Sequence, residues 1–257
     1  MPTDRQTIDW YNNNAEKYAQ HVRNNQDSVY HAYYEKPAMY KLLPPLSGKR
    51  VISLGCGSGE DSSYLKKSGA KESVGIDISS ELIKIAETSH PECEFHIMDM
   101  ENLDFPDSSF DFAYSSLAIH YLEKWDSVFK EVYRILKPNS FFLFSCGSPV
   151  RYFMEGSETE NESINKLEIS KNKITKEVTI IGDYLGRKKL TDGFGKDTVT
   201  TWCKSFGEIS SEISSSGFLI ERIVEPKPLK ELADIFPEKY KKLSKISEFV
   251  IFRLLKP

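Results

Sequence analysis

The apolar positions in the middle of the chain fall into short runs, separated by stretches with helical periodicity. Arg50–Leu54 is one such run, and its apolar residues predict a strand that is buried on both faces. Further strands are predicted over residues 73–76, 94–98, 110–114 and 140–145. The alternation of strand and helix predicts an α/β fold with a doubly wound, parallel sheet and right-handed crossovers. Ligands of such sheets bind beyond the C-terminal ends of the strands.

The alternation stops after residue 148. Within residues 149–197 we predict a short antiparallel pair between 174–184 and 190–194. The segment is interpreted as an insertion that covers the active site, although a surface excursion without a catalytic role explains its pattern equally well.

The pattern of the last sixty residues predicts a return to the sheet. A long helix is predicted over 198–216, because Gly217 follows it as a typical helix end. Strands are then predicted at 218–224 and 249–254, with a helical segment between them. The predicted organisation is a single domain with four parts: an N-terminal helical lid (1–45), a cofactor-binding core (46–148), the insertion or cap (149–197) and the C-terminal part of the core sheet (198–257).

A glycine-rich turn follows the first predicted strand. It contains Gly55, Gly57 and Gly59, and Asp77 stands about 20 residues further on, at the end of the next strand. Glycine lets the backbone turn sharply and lets a ligand approach without a Cβ in the way. An acid at the position of Asp77 is typical of a group that accepts hydrogen bonds from ribose hydroxyls.

The spacing of these glycines indicates which cofactor the turn suits. A dinucleotide site has the pattern G-x-G-x-x-G, but Glu60 stands where the third glycine belongs. A carboxylate there is a poor neighbour for a pyrophosphate, and no lysine follows Gly59 as a phosphate-binding loop requires. The turn therefore favours a cofactor with ribose and adenine but no phosphate, such as S-adenosylmethionine. A nicotinamide oxidoreductase is the less favoured functional alternative. The alternative without a function is a tight turn between strand and helix that binds no ligand.

The composition excludes few functions, but it limits the kinds of binding partner that we expect. The chain has 257 residues and a net charge of −4, which offers no general attraction to nucleic acid. Its four cysteines are widely spaced, so neither a zinc site nor a disulfide framework is expected. It has no apolar run of membrane-spanning length and no apolar signal core at the N-terminus. We expect a cytoplasmic monomer or homodimer, with no metal, no nucleic acid and no membrane partner.

Five motifs, in order along the chain, resemble those of class I S-adenosylmethionine-dependent methyltransferases of the small-molecule type, a group that includes the quinone-biosynthesis methyltransferases. They are LGCGSG (54–59), GIDIS (75–79), MDMENLDFPDSSFDF (98–112), SSLAIHYL (115–122) and EVYRILKPNSFFLFS (131–145). The resemblance implies a seven-stranded, mostly parallel Rossmann-like sheet with an antiparallel C-terminal hairpin at one edge. It also implies S-adenosylmethionine as the cofactor and S-adenosylhomocysteine as its product.

The resemblance extends to single residues. It implies that Asp99 accepts a hydrogen bond from the adenine amino group, that Ile78 packs on the adenine, and that Leu117 and Ala118 wall the cofactor. The full set expected to bind the cofactor is Tyr18, Gly55, Cys56, Gly57, Gly59, Asp77, Ile78, Asp99, Met100, Glu101, Ser115 and Ser116. Ser53 departs from the family, which usually has an acid at this position.

The expected catalytic residues are His120 and Tyr18. His120 follows the fourth strand, where it would act as a general base or orient a substrate oxygen, or else pack under the lid. Tyr18 belongs to a segment that resembles the family's lid helix, and an aromatic face there would attract the sulfonium cation. The substrate side is expected to include Tyr11, Tyr30, Tyr34 and His120, with core packing as the alternative for each tyrosine. His31, Asp192 and Trp202 are weaker candidates.

The predicted activity is transfer of a methyl group from S-adenosylmethionine to a small-molecule acceptor by in-line displacement, for which positioning supplies much of the acceleration. Hydroxyl, carbon and amine acceptors all remain open. The alternative function is a binding module that holds the cofactor as a sensor or partner surface without turnover, and Ser53 is the residue that keeps this alternative open.

Overall fold

The computed structural model describes residues 3–150, 168–194 and 197–257 of the chain. The strands, in chain order, are β1 (Arg50–Leu54), β2 (Glu72–Asp77), β3 (Glu94–Ile97), β4 (Phe110–Ser115), β5 (Leu136–Gly147), β6 (Glu168–Lys171), β7 (Val178–Ile181), β8 (Lys188–Phe194), β9 (Asp197–Cys203), β10 (Leu219–Val224) and β11 (Phe249–Lys256). The helices are α1 (Arg5–Asn13), α2 (Ala15–Arg23), α3 (Lys36–Tyr40), α4 (Glu60–Lys67), α5 (Ser80–Ser89), α6 (Asp126–Ile135), α7 (Phe206–Ser215), α8 (Glu231–Ile235) and α9 (Pro237–Leu243). A π-helical turn (His31–Glu35) precedes α3, and a 3-10 turn (Ile119–Tyr121) follows β4.

Seven strands form one sheet, in the order β10-β11-β5-β4-β1-β2-β3. All neighbours from β5 to β3 pair in parallel, whereas β11 is antiparallel to both β5 and β10. The strand order reverses between β1 and β4, where the first crossover leads one way along the sheet and the later ones lead the other. This arrangement confirms the predicted fold class, including the C-terminal hairpin at one edge.

The central strand is buried on both faces, as its apolar sequence predicts. Ile52 and Leu54 pack into one hydrophobic cluster with α6 and α7, while Val51 packs into another with α3 and α4. Burial on both faces explains why the sequence of this strand is a continuous apolar run and does not alternate with polar residues. The C-terminal end of β1, and therefore the glycine turn, is held in a fixed position over the sheet edge.

The structure corrects two predictions about the segment after residue 148. The predicted helix over 198–216 is wrong in its first part, because β9 occupies Asp197–Cys203 and α7 begins only at Phe206, capped by Ser205. The predicted pairing of 174–184 with 190–194 is also wrong, since β7 pairs with β6 and β8 pairs with β9. Residues 151–167 and 195–196 of the predicted cap lie outside the described residues.

The N-terminal helices lie against the carboxyl edge of the sheet. The backbone N–H of Thr200 donates to Thr7 Oγ1 at 3.0 Å, which joins α1 to β9. On the other side, Ser79 Oγ donates to Asn12 Oδ1 at 2.8 Å, which joins α1 to the start of α5. The division into four parts remains a prediction, and its boundary at residue 197 coincides with the start of β9. Across the described ranges, no helix has the length and apolar character needed to cross a membrane.

Candidate functional site

The glycine turn between β1 and α4 is tightly enclosed. Gly55 has a φ of +63°, and a Cβ added there would lie 2.4 Å from the Cβ of Ala118. Gly57 has a φ of +55°, and its Cβ would lie 3.3 Å from Cε1 of Tyr18. Both positions combine a left-handed backbone with close neighbours, so glycine is required for two reasons. The turn therefore brings its backbone against Tyr18 of α2 and the segment after β4.

Asp77 fixes the same turn from the end of β2. Its carboxylate accepts one hydrogen bond from the backbone N–H of Gly57 and another from that of Ser79, each at 2.9 Å. Burial raises the pKa of this carboxyl above its usual value, while these backbone donors oppose the shift. Ser79 rather than Asp77 caps α5, through its Oγ, which accepts from the N–H of Leu82 at 3.2 Å. Asp77 is thus held at the boundary of a cavity and keeps lone pairs for a ligand.

A cavity of about 420 Å³ lies at the carboxyl edge of the sheet, a volume within the range of about 300–1,000 Å³ that is common for small-molecule sites. Its walls include the turn residues Gly55 and Gly57 and the strand-end residue Asp77. The predicted site residues that line it are Tyr11, Tyr18, Gly55, Gly57, Asp77, Ile78, Asp99, Met100, Ser116 and His120. Leu117, Ala118 and His31 line it as well. The structure thus brings together predicted residues from five separate segments: the N-terminal helices, the glycine turn and the chain at and after the ends of β2, β3 and β4.

Three tyrosines form one wall of the cavity. The rings of Tyr11 and Tyr18 meet edge to face with centroids 5.3 Å apart, and Tyr11 packs in the same way on Tyr121 at 5.7 Å. The hydroxyl groups of Tyr11 and Tyr121 are hydrogen-bonded to each other. Burial raises the pKa of Tyr11 and of Tyr18 well above the ordinary value, so both phenols stay protonated at neutral pH. The ring of His120 lies beside that of Tyr121, with centroids 4.8 Å apart and the ring planes inclined at 55°.

Some residues predicted to bind the cofactor lie behind the cavity wall. Ser115 is 1% exposed and donates from Oγ to the carbonyl oxygen of Leu54 at 3.1 Å. A Cβ on Gly59 would meet Phe95 and His90, so this glycine allows close packing under the turn. Cys56 and Glu101 also do not belong to the described cavity lining. Burial raises the pKa of Glu101, with a further contribution from neighbouring Asp99.

Tyr30 and Tyr34, predicted on the substrate side, do not belong to the described cavity lining but pack behind it, in a cluster with the lining residues Phe249 and Leu117. Tyr34 is fully buried, and its hydroxyl accepts from the N–H of Glu248 at 3.0 Å. Both tyrosine rings pack against Phe249, with centroid distances of 5.6 and 5.7 Å, and Phe249 itself lines the cavity. Trp202 lies on β9 outside the described lining. The side chain of Asp192 lies outside the described residues.

Sequence reasoning missed several lining residues. They are Thr3, Thr7, Ile8, His21, Leu82, Met98, Tyr121, Val199, Thr201 and Phe249. Leu82 lies on the buried face of α5, which the helical periodicity of that segment indicates. Tyr121 lies within the motif SSLAIHYL (115–122). Val199 and Thr201 belong to the strand that was predicted as helix, and Phe249 to a strand assigned only to the sheet. No sequence motif marks Val199, Thr201 or Phe249.

A chain of hydrogen bonds supports the loop after β4. Leu117 has a φ of +49°, which is costly for a residue with a Cβ. Its backbone N–H donates to Ser145 Oγ at 3.0 Å, and that hydroxyl donates to Glu35 Oε1 at 2.5 Å. Ser116 Oγ donates to the same carboxylate, 3.0 Å from Oε1 and 3.2 Å from Oε2. Glu35 therefore holds the cavity-lining loop from behind.

The residues present fit an adenosyl cofactor. Gly55 and Gly57 have no side chain to block a ligand, Asp77 offers carboxylate oxygens, and Asp99 lines the same cavity. Three or more His, Cys, Asp or Glu side chains do not converge to hold a metal ion anywhere in the described ranges. The chemistry that this arrangement supports is recognition of an uncharged nucleoside, next to a space walled by tyrosine and histidine.

Comparison with known proteins gives matches that centre on the same region. Residues 52–144 match a family described as a methyltransferase domain. The chain is 33% identical over 104 residues to a malonyl-[acyl-carrier protein] O-methyltransferase of Pectobacterium atrosepticum, a match covering 40% of this chain and 41% of that protein. It is also 33% identical over 107 residues to a fatty-acid O-methyltransferase of Mycolicibacterium smegmatis, covering 40% of this chain and 39% of that one. The matches thus span about two-fifths of these curated relatives.

Two solved structures extend the likeness to most of the chain. An S-adenosylmethionine-dependent methyltransferase from Mesorhizobium loti superimposes with a TM-score of 0.70 at 27% identity, covering 89% of this chain and 99% of that one. A protein of the same description from Listeria monocytogenes gives a TM-score of 0.69 at 25% identity, covering 87% and 96%. The likeness thus includes the N-terminal and C-terminal parts that the sequence matches leave out.

Proposed function

We propose that this protein is a class I S-adenosylmethionine-dependent methyltransferase and that it transfers the methyl group to a small acceptor that carries no negative charge. The fold is confirmed by the two solved structures. The family and the cofactor are supported by the methyltransferase domain that residues 52–144 match and by the descriptions of those two structures. The fatty-acid O-methyltransferase among the relatives supports a small-molecule acceptor. The charge and the position of the acceptor are our proposal.

The observation that carries the proposal is the composition of the cavity wall. Within the described part of the chain, the lining contains no lysine and no arginine, and its acids are Asp77 and Asp99. An anionic acceptor would lose water without gaining a permanent cation as partner, which is costly. The two O-methyltransferases named above act on malonyl-[acyl-carrier protein] and on fatty acids. The lining favours a different acceptor, with an apolar part against the tyrosine wall and a neutral nucleophile.

Each part of the site has a proposed role. Asp77 would hold the ribose and Asp99 the adenine, which would leave the side of the cavity at Ser116 and His120 for the rest of the cofactor. The bound cofactor would supply an electrophilic methyl group on a positively charged sulfur, with a neutral thioether as the leaving group. His120 takes the proton that a hydroxyl acceptor gives up. Tyr18, whose phenol stays protonated, presents an aromatic face to the cation and excludes water.

The proposal is tested by incubating the protein with S-adenosylmethionine and a panel of phenols, aliphatic alcohols, amines and carboxylic acids. Formation of S-adenosylhomocysteine together with a methylated phenol, alcohol or amine is the expected result. Turnover of carboxylic acids alone would contradict the proposed charge preference. Binding of S-adenosylhomocysteine without turnover of any acceptor would instead favour the binding module without catalysis.

The role of His120 is tested on the acceptor that the panel identifies. His120→Gln is expected to lower kcat by about 10²–10⁴-fold if the histidine is a general base, and to flatten the acidic limb of the pH profile. His96→Gln is the matched control, because His96 lies on β3, bonds to Glu94 and is absent from the described lining. An unchanged kcat and pH profile in His120→Gln would rule out the base.

A further inference from the structure

A buried carboxylate on the N-terminal lid is the strongest feature that the proposed function leaves unexplained. Glu35 lies at the end of the π-helical turn before α3 and is 0% exposed. Its partners are two neutral hydroxyls, those of Ser116 and Ser145. Removing a carboxylate from water costs several kcal/mol unless a charge or several hydrogen bonds compensate it. Two neutral donors compensate it only in part.

Cationic groups near Glu35 are few. Among the described residues, the basic nitrogen that comes within 4.0 Å of the carboxylate is Nδ1 of His31, at 3.9 Å, which is beyond hydrogen-bonding distance. The adjacent Lys36 pairs with Asp61, at 3.2 Å, and interacts with Glu35 only at longer range. The described contacts therefore compensate the negative charge of Glu35 only in part, and a further cation near the carboxylate would be stabilised.

Ser116 connects this carboxylate to the cavity. Its Oγ donates to both oxygens of Glu35, so its proton points away from the cavity that the residue lines. The Tyr114 side chain also lies within hydrogen-bonding reach of this hydroxyl. One lone pair of the hydroxyl is then left to accept from a ligand, in the field of the carboxylate behind it. The arrangement suits a ligand group that carries N–H donors and a positive charge.

The position of Ser116 along the cavity indicates which ligand group this is. The assigned ribose and adenine positions, Asp77 and Asp99, place the nucleoside on one side, so the amino-acid part of the cofactor extends toward Gly55 and Ser116. On β1, Ser53 is 2% exposed and carries no charge, although it stands where the family usually has an acid. Ser53 pairs with Tyr114 of the neighbouring strand β4, and Ser116 follows Tyr114 by two residues along the chain. Glu35 thus brings a negative charge to the region where Ser53 lacks one.

We propose that Glu35, acting through Ser116, holds the α-ammonium group of the cofactor's amino-acid part, and so replaces the acid that is missing at Ser53. Glu35 is a positioning residue, because its side chain is fully buried and reaches the ligand only through the serine hydroxyl. The inference rests on cofactor binding and not on the proposed acceptor, so absence of turnover does not affect its test.

The test is calorimetric titration with two ligands: S-adenosylhomocysteine, which has the ammonium group, and 5′-methylthioadenosine, which lacks the amino-acid part. In Glu35→Gln, affinity for S-adenosylhomocysteine is expected to fall by about tenfold or more, as the loss of one charge-assisted interaction predicts. Affinity for 5′-methylthioadenosine is expected to change by less than about twofold. The matched control is Glu248→Gln, a buried glutamate that pairs with Lys242 at 3.1 Å and does not line the cavity.

Ser116→Ala is the second variant and decides the question if Glu35→Gln does not fold. It removes the hydroxyl but leaves Glu35 bonded to Ser145. The same selective loss for S-adenosylhomocysteine is expected. Equal losses for both ligands would assign Glu35 a structural role in supporting the loop, and unchanged affinities would exclude any role in binding. Either result would overturn the inference.

Discussion

Gly55 and Gly48 have similar backbone conformations in different surroundings. Their φ angles are +63° and +74°, so a side chain at either position meets the same backbone strain. A Cβ on Gly48 would have no atom within 4 Å, whereas one on Gly55 would overlap Ala118. The pair separates the cost of a left-handed residue from the cost of steric overlap.

Gly48→Ala is expected to lower the free energy of unfolding by about 1–2 kcal/mol, through backbone strain alone. Gly55→Ala is expected to lose about 1–3 kcal/mol more, because the turn must move away from Ala118. Urea unfolding of both variants beside the unaltered protein measures the difference. Equal losses would show that the close contact at Gly55 is not maintained in solution.

Asp77→Ala is expected to weaken binding of S-adenosylhomocysteine by roughly 10–100-fold, because hydrogen bonds to a charged group contribute about 1.5–3 kcal/mol. Burial raises the pKa of Asp77, so affinity in the unaltered protein should decline as the pH falls through that raised value, where the carboxylate becomes protonated. Titration calorimetry at several pH values measures both effects. Asp107→Ala, at an exposed residue that pairs with Arg134, is the control. Unchanged affinity in Asp77→Ala would show that the ribose assignment is wrong.

At the scale of elements, the sequence predicts those helices, strands and caps whose conformation is determined by neighbouring residues in the chain. β1, α4 and the cap at Ser79 follow from an apolar run, a glycine turn and a hydroxyl that bonds three residues ahead. β9 was missed because its pairing with β8 decides its conformation, and the alternation of Val199, Thr201 and Cys203 is brief. A short run of this kind fits either a strand or a helix until its partner is known.

The contact between α1 and β9 is expected to contribute measurably to stability. Thr7 is 1% exposed, and its Oγ1 accepts from the N–H of Thr200 and donates to Asp4. Thr7→Val keeps the shape but leaves the N–H of Thr200 buried without an acceptor, which should cost about 1–3 kcal/mol. Thr88→Val, on the exposed face of α5, should change stability by less than about 0.5 kcal/mol. Equal unfolding free energies for the two variants would show that α1 does not stay docked on β9.

At the scale of the whole molecule, the cavity is assembled from three distant parts of the chain. The central part supplies the glycine turn and strand ends, which motifs mark. The N-terminal helices supply Tyr11 and Tyr18, and the C-terminal half supplies Val199, Thr201 and Phe249. The residues that we propose for the nucleoside could be singled out from sequence, because binding a nucleoside requires particular residues at fixed spacing. The residues that we propose for the acceptor could not, because they are ordinary apolar and polar residues brought together by tertiary packing.

The same assembly predicts which cofactor stabilises the protein. Glu60 begins α4, accepts from Arg23 at 2.7 Å and from Ser58 Oγ at 2.6 Å, and so stays at the turn where a dinucleotide's pyrophosphate would lie. A ligand that binds only the folded state at about 100 times its Kd contributes about 2.7 kcal/mol. For a chain of this size that corresponds to a rise in Tm of roughly 5–10 °C with S-adenosylhomocysteine. NADH at the same concentration should shift Tm by less than about 1 °C, since its phosphates meet a carboxylate. A thermal melt with each ligand decides between them, and stabilisation by NADH alone would overturn the assignment of the turn.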